Sequence, residues 1–195
     1  MRRVAFPFCV FVCLGWHQAV AAPKVTVKTN TFDISGKTGI ELLRELDRRG
    51  PKHGFLTRAI AQTRYQLNSS AEYRFSRGTC AVVRPNVRLD ITYIYPQLAG
   101  PAPASVHKRW RSFMAGVRKH EETHGRIARE MASAAQSALQ RIRLKDTATC
   151  RKVRAAMKRA VDGIVAQYEA RQRQFDNQEH RDGGPVARLV ERLAG

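Results

Sequence analysis

Between Ser105 and Met131 the apolar residues recur at intervals of three and four: Trp110, Phe113, Met114, Val117, Ile127, Ala128 and Met131. That spacing is one face of an α-helix. The same stripe carries two histidines and a glutamate. Trp110, Val117, His124 and Met131 step by seven; Phe113, His120 and Ile127 form the adjoining series, and Met114, Glu121 and Ala128 the next. Glu122 and Thr123 point further outward. Titratable groups on a buried stripe need partners, because desolvating an unpaired charge is costly. Whatever packs on this helix must therefore satisfy His120, Glu121 and His124.

The segment His120-Glu121-x-x-His124 suggests how. Residues four apart share a helix face, so two imidazoles can bind one metal ion. Zinc accepts such nitrogen ligands and leaves positions for water and a third protein ligand. The intervening Glu121 has the chemistry of a general base. Without a metal, the same residues read as a core histidine pair held by hydrogen bonds, with Glu121 in a salt bridge. A second helix is expected from about Thr147, with Cys150, Val153, Met157, Val161, Ile164, Val165, Tyr168 and Phe175 on one stripe. If the two helices run antiparallel about a turn near Ala148, equal rise per residue brings Asp176 abreast of His120. Asp176 and His180 both lie in "FDNQEHRD". Either completes a set of three ligands, and Asp176 can alternatively orient a ligand histidine.

The rest of the chain reads as α+β. "KVTVKTNTFDI" alternates like a strand, and "GIELLRELDRRG" places Ile40, Leu43 and Leu46 at helical spacing before Gly50-Pro51. Two strand-like runs follow: Thr63 to Phe75, split around Asn68-Ser69-Ser70, and Cys80 to Pro96, with a bulge or an edge at Pro85. The expected architecture is a small antiparallel sheet packed with a C-terminal antiparallel helical hairpin that carries HExxH. "RDGGP" is expected to end the compact domain, residues 23–180, leaving 181–195 as an amphipathic tail.

Arg2 and Arg3, the uncharged apolar run Val4 to Gly15 and "AVAA" ending at Ala22 read as an export signal over residues 1–22. The alternative is an uncleaved N-terminal anchor. Cleavage leaves no transmembrane helix and places the chain in the periplasm or outside the cell. It also removes Cys9 and Cys13, so Cys80 and Cys150 are expected to pair in an oxidising compartment. The formal charge is +19, or +17 without the signal. Between Lys108 and Arg173 there are 17 Lys or Arg against 6 acids. That excess suits an anionic envelope polymer, or is simply a solvated basic face. Basic charge without interleaved aromatics gives no expectation of specific nucleic-acid binding. No phosphate loop or serine-nucleophile elbow is present.

The chain resembles the bacterial family of predicted secreted zinc-dependent proteases, over roughly Val25 to His180. The matching residues are "ISGKTGIELLRELDRRGP", the Cys80 strand, Trp110 and Phe113, "HEETHG", Cys150 and "FDNQEH". Phe175, Glu179 and Arg181 stand where that family has Tyr, Thr and Gly; Asp176 and His180 agree with it. The resemblance implies a zincin-like peptidase of the cell envelope, with zinc held by His120, His124 and His180. Its expected substrate is a protein or peptide, hydrolysed by a zinc-activated water with Glu121 as general base. A different class also fits the residues: a non-catalytic envelope binding protein with a structural metal site, docking its basic helices on an anionic polymer.

Overall fold

A computed structural model describes residues 22–53 and 57–195. The expected export signal lies outside these residues, apart from Ala22. The element order is β1 (Lys24–Ile34), α1 (Gly39–Arg49), β2 (Lys52–His53), β3 (Thr57–Arg58), β4 (Gln62–Ser76), β5 (Thr79–Leu98), α2 (Ala104–Gln140), β6 (Arg143–Lys145), α3 (Arg151–Glu179) and α4 (Pro185–Ala194).

The spine is β5. Val87, Leu89, Ile91, Tyr93 and Tyr95 are all buried and alternate along it. With period two they share one face, and the helices cover that face. Strand β4 pairs with β5 antiparallel through the tight turn Arg77-Gly78. Strand β1 pairs with the other side of β5 in parallel, with Val25 opposite Leu89 and Ile34 opposite Leu98. The sheet is therefore mixed rather than antiparallel. Alternation reveals which face a residue takes but not the direction of its partner, so strand polarity was invisible in the sequence.

Two further expectations are corrected. Strand β4 does not split at Asn68-Ser69-Ser70; these residues pair with Arg88, Val87 and Asn86 without interruption. A polar triplet is tolerated because β4 is an edge strand and the ladder is made by backbone. In α1 the buried pair is Leu42 and Leu46, one turn apart, while Ile40 is 51% exposed. The phase is set by the cap: Thr38 accepts a hydrogen bond from the Glu41 N–H at 3.2 Å.

The irregularity expected near Pro85 is present. The register slips between Glu72 and Tyr73, whose partners are Arg84 and Val82, leaving Val83 unopposed. Buried Gln136 of α2 bridges this region. Its Oε1 accepts from Val87 N–H at 3.1 Å, and its Nε2 donates to the Pro85 carbonyl at 3.1 Å. A helix side chain thus bonds the β5 backbone just before its pairing with β1 begins at Arg88.

Helix α2 spans 37 residues and lies between the sheet and α3. The connection to α3 holds β6, which pairs with the start of β5. Asp146 caps α3, its carboxylate accepting from Thr147, Lys152 and Val153 N–H groups. Cys80 and Cys150 form a disulfide with a Cα–Cα distance of 5.6 Å, joining the start of β5 to the start of α3.

The segment expected as a tail is part of the fold. Helix α4 packs on α1 and α2, and Leu193 is fully buried. Gly39 makes this possible: a Cβ there would lie 1.7 Å from the Leu193 carbonyl oxygen. Among the described residues no helix is long and apolar enough to cross a membrane.

Candidate metal centre

His120 and His124 are one turn apart on the face of α2 that meets α3. Their Nε2 atoms are 3.1 Å apart. Asp176 of α3 lies opposite, with Oδ1 at 2.9 Å from His124 Nε2 and 3.4 Å from His120 Nε2. His180 follows one turn later, its ring centroid 5.3 Å from that of His120. The ligand atoms of His120, Asp176 and His180 all lie within 4.8 Å of one another. The antiparallel hairpin therefore delivers both residues singled out as completing the set, and it does not choose between them.

The donor set fits zinc. Bonds of about 2.0–2.1 Å in a tetrahedron put ligand atoms about 3.3 Å apart. The three separations among His120 Nε2, His124 Nε2 and Asp176 Oδ1 bracket that length. The opposite ring nitrogen of His124 is bonded as a ligand histidine requires. His124 Nδ1 contacts Gln172 Oε1 at 2.6 Å, and Gln172 Nε2 donates to the His124 carbonyl at 3.1 Å. Gln172 thereby fixes the ring orientation, with Nε2 facing the cluster. His120 Nδ1 is buried without a hydrogen bond, and the Glu179 carboxylate stands 3.6 Å from it. Phe175 walls the site, its ring 4.9 Å from His120 and 5.1 Å from His124.

The electrostatics follow from this crowding. Burial opposes ionisation of Asp176, but hydrogen bonds from His120 and His124 outweigh it and hold the carboxyl well below its ordinary range. Burial also works against protonation of His124, yet the bonds to Asp176 and Gln172 raise its pKa above the usual value. His180 is pushed down by burial and then by the charge of His120. A group that tends to keep its proton must release it on binding metal, so a metal held by this cluster would be bound more weakly as the solution is acidified.

Glu121 is placed differently. It is 5% exposed and turned toward the sheet, where Thr63 Oγ1 donates to its Oε2 at 2.6 Å and sits 3.1 Å from its backbone carbonyl. Tyr65 of β4 reaches the α3 side. Burial and then Glu169 raise the pKa of its hydroxyl, against a hydrogen bond with Gln172.

Sequence reasoning missed Thr63, Tyr65, Gln172 and the role of Glu179. One of these had a signal: Gln172, Asp176 and His180 step by four and share a face of α3. Thr63 had none, because nothing local links it to a glutamate 58 residues away.

Gly125, next to His124, lets the helix press on the sheet: a Cβ there would lie 1.9 Å from the Tyr93 hydroxyl. Tyr93 belongs to the buried face of β5 and has little room to retreat. Gly125→Ala is expected to destabilise the fold by about 1–3 kcal/mol through overpacking, and to weaken metal binding by displacing His124. Urea unfolding beside zinc titration checks both effects.

Residues 29–184 match a family described as "Bacterial protein of unknown function (DUF922)". No curated protein and no solved structure matches the chain.

Proposed function

The chain belongs to the DUF922 bacterial family, whose function is unknown, and from the geometry of the site we propose that it is a zinc-dependent peptidase of the bacterial cell envelope. The observation that carries the reading is the convergence of His120, His124 and Asp176 at metal-ligand separations on a helix bearing HExxH. The buried disulfide and the N-terminal sequence support an oxidising destination.

His120, His124 and Asp176 would hold the ion and leave a position for water, with His180 beside them at the solvent edge. When bound, zinc would supply Lewis acidity and a water that ionises near neutral pH. Gln172 orients the His124 imidazole, and the Glu179 carboxylate stands 3.6 Å from His120 Nδ1. Glu121 would accept the proton of the attacking water and deliver it to the leaving amine. Thr63 fixes one carboxylate oxygen of Glu121 for that exchange. Phe175 excludes water from one side of the cluster.

A second reading is a binding protein with a structural metal site. Two observations favour it: His120, His124, Asp176 and His180 together would suffice to close a tetrahedron, and Glu121 already has a partner in Thr63. Peptide hydrolysis by the zinc-loaded protein, compared with Glu121→Gln, separates the two. Cleavage that depends on Glu121 supports the peptidase; a zinc-loaded protein inert toward a broad peptide library supports the binding protein.

A further inference from the structure

We infer that the pocket between α2, the end of α3 and α4 receives a carboxylate carried by the peptide on which the metal centre acts, an inference that rests on the peptidase reading. The pocket measures about 260 Å³ and shares His120, Phe175 and Glu179 with the metal cluster. A group held in it is therefore held beside the ligands. Its apolar wall is Phe175, Pro185 and Leu189, and its cations are Lys119, Arg188 and Arg192. Among its lining residues the one acid is Glu179, whose carboxylate faces His120 Nδ1 at 3.6 Å.

The cations sit on fixed supports. Arg188 and Arg192 are one turn apart on α4, so they present to the same side. Helix α4 is anchored through buried Leu193 against α1. Arg188 Nη1 donates to the Gly183 carbonyl, which orients its guanidinium. Planar guanidinium groups match carboxylates in geometry as well as charge. The mixture of apolar wall and cationic rim suits a short hydrocarbon stem ending in a carboxylate. A long polyanion would instead track the open basic faces of the helices, and the pocket's size favours a single residue. The carboxylate has two sources, an Asp or Glu side chain or the C-terminus of the peptide.

The test uses zinc-loaded Glu121→Gln protein and fluorescein-labelled alanine-based hexapeptides containing one Glu or one Gln, each with a free or amidated C-terminus. At low salt, one carboxylate source is expected to tighten binding at least tenfold over its neutral counterpart. Glu against Gln in amidated peptides reports the side chain; free against amidated in Gln peptides reports the C-terminus. Adding Lys119→Gln or Arg192→Gln, both at exposed positions, is expected to erase the preference without changing zinc content or Tm. Equal binding of charged and neutral peptides overturns the inference, as does a preference that survives both substitutions. Tight binding of polyphosphate with no peptide preference also overturns it, in favour of polymer docking. The same carboxylate preference in protein that takes up no zinc leaves the pocket standing and removes the peptidase reading, so the two fail separately.

Discussion

Glu121→Gln is expected to bind zinc as the wild type does and to lose peptide hydrolysis by about 10²–10⁴-fold, the range contributed by a positioned general base. The substitution suits the site because it keeps shape. Thr63 donates to Glu121 Oε2 at 2.6 Å, and a glutamine carbonyl oxygen can accept the same bond. The contact of α2 with β4 therefore survives, and only the capacity to take a proton is lost. A stability change would confuse the outcome, so unfolding should be measured beside kinetics; no large shift is expected. Unchanged hydrolysis would show that Glu121 serves only to anchor the helix to the sheet, and the base would have to be sought elsewhere.

Removing the disulfide is expected to have the largest effect on stability. Cys80 and Cys150 are 70 residues apart, and the chain-entropy model gives about 4 kcal/mol for closing such a loop. Both cysteines are buried in a small cluster with Val82 and Val153, away from the main core. The bridge ties the start of α3 to the sheet, while Gln172, Asp176 and Glu179 lie near the far end of that helix. The double variant Cys80→Ala/Cys150→Ala should therefore unfold at markedly lower urea, yet still bind zinc when zinc is in excess. Urea titration of the oxidised wild type, the reduced wild type and the double variant checks this. Stability indifferent to reductant would mean that the surrounding packing, not the crosslink, holds α3 in place.

What the sequence disclosed of the site was what helix periodicity encodes. Polar residues at 120, 121 and 124 on an apolar stripe announced a constellation. Uniform rise along two helices then placed Asp176 opposite His120, as the 3.4 Å contact bears out. The cysteine pair followed from count and compartment. Other features depended on contacts that no local pattern records. Helical phase brought Glu121 near the buried stripe, but its partner on β4 emerged only when the sheet was assembled. The parallel course of β1 comes from its pairing with β5, a strand separated from it in the chain by α1 and β4. The docking of α4 rests on a missing side chain, Gly39, meeting the backbone at Leu193; a ten-residue amphipathic helix after Gly183-Gly184 looks like a tail until that seat is known.

The most direct measurement is zinc per chain, by elemental analysis after zinc loading and exhaustive dialysis. It should be made on the wild type and on His120→Ala, Asp176→Ala and His180→Ala. About one zinc is expected in the wild type, as in a mononuclear site, lost in the first two variants and retained in the third. Loss in His180→Ala as well would close the coordination sphere with four protein donors and favour the binding protein. A wild type that holds no zinc would contradict the central claim, and would leave His120, His124 and Asp176 as a buried polar cluster joining α2 to α3.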